Sequence, residues 1–231
     1  MRSRLRPRHD ARSGLILLFG MVAAMWLVEA INSLDHGSLS YDGGIRPRNV
    51  DHLWAILTAP FLHANFYPHL VDNTIPFVFM GAIIAWRGAR RLALVTLVVI
   101  LVSGLGTWLI SPAHTDTFGA SGLVFGYATY LFARGIFNRS LLQIAVGLVV
   151  GILWGGVLVA SVVPHPGVSW QDHVCGAVGG VIAAWLLSTH QRRVRRGSGA
   201  PGAPGGAPRA RTASPLGGHE LHSALDRVLE R

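Results

Sequence analysis

Two residues of this chain have side chains that together could perform nucleophilic catalysis. Ser121 follows Gly119 and Ala120, and His173 opens a stretch rich in glycine and aliphatic residues. A serine hydroxyl is a weak nucleophile until a neighbouring base takes its proton, and histidine is a common base. Ionisable side chains are costly in hydrocarbon, so those within apolar stretches are candidates for function. The sequence therefore predicts a Ser–His pair, provided that the fold brings the two residues together.

The surroundings of both residues permit close helix packing. On a helical wheel three small residues lie within about 60° of His173. They are Gly176, Ala177 and Gly180. Gly122 and Gly126 form a GxxxG pair after Ser121, and such small-residue faces let two helices approach closely. Each feature has an alternative explanation, since the GxxxG pair could be only a packing seam and a lone histidine could be a packing residue. Their occurrence together favours a catalytic pair.

Two further hydrogen-bond donors, His69 and Asn73, lie on a third apolar stretch. They are four residues apart and so share one face of a helix. Both can donate to an oxyanion that develops beside a nucleophile. They could instead form a structural network that holds the preceding loop. Asp72 lies about 60° from His69 on the same helical wheel. It either has a functional role or is a carboxylate that faces solvent or interacts with the helix N-terminus.

Gly119 belongs to the turn that leads into the helix of Ser121. A glycine at this point allows a tight turn and a close backbone approach. At the helix start, the N–H of Ser121 has no helical acceptor and can face a bound oxyanion. We therefore group Gly119 with His69 and Asn73 as candidate oxyanion and substrate-binding residues.

A zinc site is an alternative use of the histidines. His63, His69 and His173 could be considered as ligands, but the sequence contains no ligand motif such as H-E-x-x-H. Cys175 lies about 160° around the helix from His173 and is expected to pack rather than react. We expect neither a metal nor another cofactor.

Six apolar stretches must position these residues, each long enough to cross a bilayer, which takes about 20 helical residues. Apolar residues make up 51% of the 231 residues and charged residues 13%, against about 25% charged in soluble proteins. The stretches cover 14–32, 69–86, 92–110, 120–137, 141–163 and 171–189. This composition excludes disorder for most of the chain and predicts an all-α polytopic membrane protein.

The basic residues, all of them arginine, indicate how the predicted spans are oriented. With the N-terminus inside, the cytoplasmic pieces carry 17 arginines, and the outer loops carry two, Arg46 and Arg48. Because cytoplasmic loops are enriched in basic residues, the sequence predicts N-in, C-in topology. The net charge of +9 then reflects topology, and we expect no nucleic-acid partner.

These features divide the chain into three parts. Residues 1–13 form a basic cytoplasmic N-terminus, and 14–190 form a six-helix membrane domain whose first outer loop covers about 33–68. This loop has an apolar side and is expected to be a structured piece at the membrane interface, with a small soluble cap as the alternative. Residues 191–231 are predicted to be a flexible cytoplasmic tail rich in Arg, Gly and Pro, with a possible short amphipathic helix at 219–230.

The combination of these features resembles the rhomboid family of intramembrane serine proteases. The resemblance covers about residues 15–190 and rests on the six stretches and on four local features. These are Gly119-Ala120-Ser121-Gly122 at the start of span four, His173 with Gly176 and Gly180 in span six, His69 and Asn73 in span two, and Ala59-Pro60-Phe61-Leu62-His63 before them. It implies a six-helix rhomboid-like bundle with a water-accessible cavity open to the outer face.

The resemblance also implies residue roles. Ser121 would be the nucleophile and His173 its base, without an acidic third member. His69 and Asn73, with the Ser121 backbone N–H, would bind the oxyanion. Many members carry a tyrosine four residues after the serine, stacked on the base; here Phe125 stands in that position, and its ring is expected to keep the stacking.

The implied function is the hydrolysis of peptide bonds in or near transmembrane segments of membrane proteins. The enzyme would be a multi-pass protein of a bacterial cell membrane, with its site toward the outer face and with the bilayer and transmembrane substrates as partners. One alternative is an inactive rhomboid-like protein that binds or escorts membrane proteins, although Ser121 and His173 are both present. The other is a small transporter, which would show inverted repeats or broken helices at mid-membrane. The sequence leaves the oligomeric state open.

Overall fold

A computed structural model describes residues 6–164 and 166–198, which form a helical bundle joined by short connections and one long loop. Within these ranges there is no β-strand, and Ile45 and Thr117 form an isolated antiparallel bridge. The helices are α1 (Arg6–Leu34), α2 (Ser38–Asp42), α3 (Ala55–Thr58), α4 (Val71–Ala85), α5 (Ala89–Ile110), α6 (Ser121–Asn138), α7 (Leu141–Ser161) and α8 (Trp170–Ser198). Single 3₁₀ turns at Val50–His52 and Ala59–Phe61 flank α3, and a π-helical turn at Phe66–Leu70 leads into α4. The predicted helix at 219–230 lies outside the described residues.

The six long helices coincide with the six predicted apolar stretches. In the part of the chain that the structure describes, four helical segments are long and apolar enough to cross a membrane by themselves: Asp10–Leu34, Phe66–Ala85, Ala89–Ile110 and Leu141–Ser161. The prediction of an all-helical protein with membrane-crossing helices is confirmed for these segments. Two helices are longer than predicted, since α1 begins at Arg6 and α8 ends at Ser198. Hydropathy detects the apolar part of a helix and not the polar turns that extend it.

The remaining long helices, α6 and α8, are less apolar for different reasons. Twelve of the 18 residues of α6 are buried. A helix enclosed by other helices needs little lipid-facing surface, so it can carry tyrosine, threonine and arginine. The helix α8 begins with the polar residues Gln171, Asp172 and His173, all of them buried.

Tyrosines of α6 fasten this helix to its neighbours. The Tyr127 ring stacks on Phe77 of α4 with 5.2 Å between ring centroids, and its hydroxyl lies 2.6 Å from Thr96 Oγ1 of α5. About one turn further along α6, Arg91 Nε donates to the Tyr130 hydroxyl at 2.9 Å. A tyrosine is readily buried when its hydroxyl has such a hydrogen-bond partner. These contacts hold the middle of α6 against α4 and α5.

The helix α7 is far less enclosed. Gly147 and Val150 are its buried residues, and most of its aliphatic side chains are exposed. It meets α4 through Phe79 and Trp154, whose ring centroids are 4.8 Å apart. The exposed surface of α7 is therefore the kind that lipid would cover.

The long loop between α1 and the π-helical turn is ordered, as the sequence predicted. Arg48 donates to two carbonyl oxygens at the end of α5, at 3.1 and 2.8 Å, and Trp108 Nε1 donates to the Asn49 carbonyl at 3.0 Å. On the side of α1, Asn32 Nδ2 donates to the His63 carbonyl at 3.0 Å. The loop is thus tied to α5 and α1, and it holds the segment that precedes His69. Its position at a membrane interface stays a prediction.

Candidate active site

Small-residue faces bring the first turns of α6 and α8 together. A side chain on Gly176 would collide with the carbonyl oxygen of Gly122, and one on Gly180 would collide with that of Gly126. The two helices therefore pack backbone against backbone, which is what their glycine spacing predicted. The Thr129 hydroxyl adds a hydrogen bond across the same seam by donating to a carbonyl oxygen of α8 at 2.8 Å.

One cavity of about 1140 Å³ joins the predicted side chains. Ser121, the first residue of α6, and His173, in the first turn of α8, both line it, as do His69 and Asn73. Its remaining wall comes from α4, α7 and the segments before α6 and α8. A concave space with a few convergent polar groups is typical of a substrate site. The fifth predicted residue, Gly119, lies against His69.

Two contacts define the state of the His173 ring. Nδ1 lies 2.8 Å from the carbonyl oxygen of Ser161, at the end of α7. Because a carbonyl can only accept, Nδ1 carries the proton and Nε2 is the basic nitrogen of the neutral ring. The Phe125 ring stacks on the imidazole with 4.4 Å between centroids and 8° between planes. The stacking expected of Phe125 is present without a hydroxyl group.

The loop before α4 fixes the tautomer of His69. The backbone N–H of Ala64 donates to Nδ1 at 3.1 Å, so Nε2 carries the proton of the neutral ring and acts as a donor. The backbone N–H of His69 in turn donates to Asn65 Oδ1 at 3.1 Å. Nε2 is directed at Gly119, where a Cβ atom would lie 2.9 Å away.

Asn73 adds a second donor beside His69, and Gly119 leaves space next to both. Asn73 is 7% exposed, and its Nδ2 donates to the His69 carbonyl at 3.0 Å. Gly119 has a φ of 125°, which favours glycine, and its own N–H donates to the Ala59 carbonyl at 2.9 Å. The contribution of Gly119 is therefore the space that it leaves beside the His69 and Asn73 donors, and not a donor of its own.

His63 lies directly behind His69. The two ring centroids are 5.0 Å apart, and His63 is fully buried. Burial, assisted by the neighbouring His69, lowers the pKa of His63 to about 3, so the ring is neutral at physiological pH. Within residues 6–164 and 166–198, no three His, Cys, Asp or Glu side chains are grouped so that they could hold a metal ion.

The structure also places Asp72, whose role the sequence left open, and Cys175, which was expected to pack. Asp72 is exposed and lines the cavity. The Cys175 thiol packs on Gly106 of α5, away from the cavity. Sequence reasoning missed the Ala64 N–H and the Ser161 carbonyl, because a backbone group carries no signal in the residue type. It also gave no role to Asp172, although an acidic residue in a glycine-rich apolar helix was a visible signal.

Comparison with known proteins assigns the family. A Rhomboid domain model matches residues 50–190, which contain every candidate site residue named above. The chain belongs to the rhomboid family. This family is known for serine intramembrane proteases, and the rhomboid assignment with the apolar helices identifies a multi-pass membrane protein.

Several relatives of this rhomboid chain come from bacteria. An uncharacterized protein of Mycobacterium tuberculosis is 42% identical over 198 residues, covering 82% of this chain and 81% of the relative. An uncharacterized protein of Mycobacterium leprae is 43% identical over 191 residues, covering 79% and 74%. A Bacillus subtilis protein named "Putative rhomboid protease YdcA" is 28% identical over 142 residues, covering 61% and 70%.

Proposed function

We propose that this chain is an intramembrane serine endopeptidase in which Ser121 is the nucleophile and His173 the general base. The observation that carries the proposal is the pairing of His173 Nδ1 with the Ser161 carbonyl, at 2.8 Å, on the wall of the cavity that Ser121 also lines. This pairing makes Nε2 the basic nitrogen, as a base for a serine hydroxyl requires. The neutral carbonyl takes the position that a carboxylate occupies in a Ser-His-Asp triad.

In the first half of the reaction, His173 Nε2 takes the proton from the Ser121 hydroxyl while Oγ attacks the scissile carbonyl carbon. The carbonyl oxygen becomes an oxyanion, for which three donors are suitable: the His69 Nε2–H, the Asn73 amide and the N–H of Ser121. The helix start leaves that last N–H without a helical acceptor. Donors that are already in place stabilise the developing charge without reorganisation.

The tetrahedral intermediate then collapses. Its C–N bond breaks, and the imidazolium of His173 gives its proton to the leaving amine, so that an acyl group stays on Ser121. Water attacks this ester with His173 again as base, and release of the acid returns Ser121 to its hydroxyl form. The stacked Phe125 ring keeps the imidazole plane constant through these proton transfers.

We also propose the six-span, N-in, C-in arrangement, with the cavity toward the outer face of the cell membrane. Residues 1–13 and 191–231 would then lie on the cytoplasmic side. Substrates would be membrane proteins whose transmembrane segment unwinds near the outer surface. Such a segment would approach between α4 and α7, because α7 has few buried residues and meets α4 through the Phe79–Trp154 contact.

Cleavage of a model transmembrane substrate in lipid vesicles tests the chemistry. Ser121→Ala and His173→Ala are each expected to abolish cleavage, and a fluorophosphonate probe is expected to label wild type but not Ser121→Ala. Two cavity-lining residues give matched controls: Ser161→Ala keeps the backbone carbonyl, and His114→Ala removes an exposed imidazole. Both controls should cleave at near wild-type rates. Substantial cleavage by purified Ser121→Ala would refute the serine mechanism.

Reporter fusions test the topology. Fusions after Arg91, Arg139 and Arg196 should report the cytoplasm, and a tag near Asp42 should report the outside. The expectation follows from the 17 arginines in the proposed inner pieces against two in the outer loops. A truncation after Arg196 keeps the arginines that orient α8 and should still cleave. An external signal from the Arg196 fusion would contradict the six-span count.

A further inference from the structure

Asp172 places a carboxylate between α5, α6 and α8, on the inner side of the first turn of α8. It is 7% exposed. Ser103 of α5 donates its hydroxyl hydrogen to Asp172 Oδ1, and Thr107 Oγ1, one turn further along α5, lies 3.4 Å from the same oxygen. Both partners are buried as well. Burying a carboxylate is costly unless donors compensate for the lost water, and α5 supplies two of them.

The same carboxylate lies against α6. Its Oδ2 and Oδ1 lie 2.5 and 2.7 Å from the point that a Cβ on Gly122 would occupy, so a glycine at this position leaves the space that the carboxylate fills. Asp172 therefore packs on the first turn of α6 while its Oδ1 is bonded to α5.

This carboxylate does not serve as the acid of a catalytic triad. The Nδ1 atom of His173 is bonded to the Ser161 carbonyl. Asp172 instead lies beside both members of the proposed pair, because its carboxylate packs on Gly122, which directly follows Ser121, and Asp172 directly precedes His173. The glycine seam between α6 and α8 allows a close approach but supplies no directional bond at this end.

We propose that Asp172 is a positioning residue that holds the first turn of α8 on α5 and against the first turn of α6, and so fixes His173 relative to Ser121. This inference rests on the proposed function. Misplacing reacting groups by about 1 Å can cost roughly 100-fold in rate, so the hydrogen bonds that fix the first turn of α8 have a large effect on catalysis. The proposal therefore predicts that the loss of Asp172 changes kcat more than it changes KM.

Asp172→Ala and Asp172→Asn test this role in the vesicle cleavage assay, at temperatures well below each melting temperature. We expect Asp172→Ala to lower kcat about 10-fold or more, to leave KM within about twofold, and to slow fluorophosphonate labelling of Ser121 by a similar factor. Asp172→Asn keeps an oxygen of the same reach that can accept from the Ser103 hydroxyl, and it should keep kcat within about threefold of wild type. Equal impairment of both variants would overturn the proposal, because acceptance from Ser103 would then be irrelevant.

Thr96→Val is the matched control for lost stability. It removes another buried hydrogen bond of α5, the one to the Tyr127 hydroxyl, about two turns from Ser103. It should lower the melting temperature and leave kcat unchanged. If Asp172→Ala behaves like Thr96→Val, Asp172 is merely structural and the proposal fails.

Two further outcomes separate this proposal from the proposed function. If wild type shows no Ser121-dependent cleavage, the proposed function fails and Asp172 has no role to play. If cleavage depends on Ser121 and kcat of Asp172→Ala stays within twofold of wild type, the positioning role alone fails. Should Asp172→Ala not insert, Ser103→Ala replaces it, because it removes the α5 donor of the same carboxylate. Ser103→Ala should lower kcat about threefold or more at constant KM, and an unchanged kcat would overturn the proposal.

Discussion

Replacing Asn73 by alanine separates an oxyanion donor from a structural residue. The Asn73 amide lines the cavity, and its Nδ2 also donates to the His69 carbonyl one turn earlier, at 3.0 Å. Alanine therefore removes two interactions at once. One would stabilise charge only in the transition state, and the other stabilises the folded chain.

The two losses differ in size and in the quantity that they change. Loss of one oxyanion donor typically lowers kcat by about 100- to 1000-fold, which corresponds to roughly 2.7–4 kcal/mol. Loss of one intramolecular hydrogen bond costs about 0.5–1.5 kcal/mol of folding free energy. For a chain of this size each kcal/mol moves the melting temperature by about 2–4 °C. Asn73→Ala should thus lose most of its kcat, little of its KM and only a few degrees of stability.

Thr74→Val provides the structural reference on the next residue of α4. Thr74 Oγ1 donates to the Leu70 carbonyl at 2.7 Å, the same i to i−4 geometry as at Asn73, and it also accepts from Trp26 Nε1 at 3.2 Å. This variant should lose at least as much stability as Asn73→Ala and keep its kcat. Both variants are measured for kcat, KM and melting temperature on the same vesicle preparations.

The reasoning is refuted if Asn73→Ala keeps kcat within about threefold of wild type while its melting temperature falls as in Thr74→Val. Asn73 would then only hold the turn around His69. His69→Ala is an independent test, because its Nε2–H donor is fixed by the loop and not by Asn73.

Three other outcomes follow from the contacts around the site. In the cleavage assay, Phe125→Tyr should keep kcat within about threefold of wild type. Phe125→Leu loses the ring that is stacked on the His173 imidazole at 4.4 Å between centroids, and it should lower kcat about 10-fold. Equal rates of the two variants would show that the stacking has no part in the mechanism. Gly176→Ala should destabilise the folded chain by about 1–3 kcal/mol in thermal melts, because the new Cβ would collide with the backbone of α6. Gly155→Ala is the control: nothing lies within 4 Å of its Cβ, so this variant should be neutral or slightly stabilising. His63, with its pKa lowered from 6.5 to about 3, binds a proton in the unfolded chain before it does in the folded one, so its stability contribution is complete above pH 6.5 and is lost as the pH falls toward 3. His63→Phe should flatten that part of the stability–pH curve, and an unchanged slope would contradict the burial of a neutral imidazole.

Sequence alone determined the class of the protein and most of the candidate site. Apolar stretches of about 20 residues predict helices in a bilayer because a membrane imposes that length, and all six fall on helices of the structure. Glycines spaced by four on two helices predict a close seam because a missing side chain is visible in the residue type. Helix ends were less predictable, as α1 begins at Arg6, because polar turns can extend a helix beyond its apolar part.

Tertiary structure decided how the site is held. The acceptor of His173 Nδ1 is the backbone carbonyl of Ser161, and the donor to His69 Nδ1 is the backbone N–H of Ala64. Every residue type offers a carbonyl and every type except proline an N–H, so no pattern can predict which of them reaches an imidazole. The same holds for Asp172, whose buried position is tolerable only because Ser103, 69 residues away in the chain, reaches it when α5 packs against α8. Contacts between segments so far apart in sequence exist only after the helices have packed.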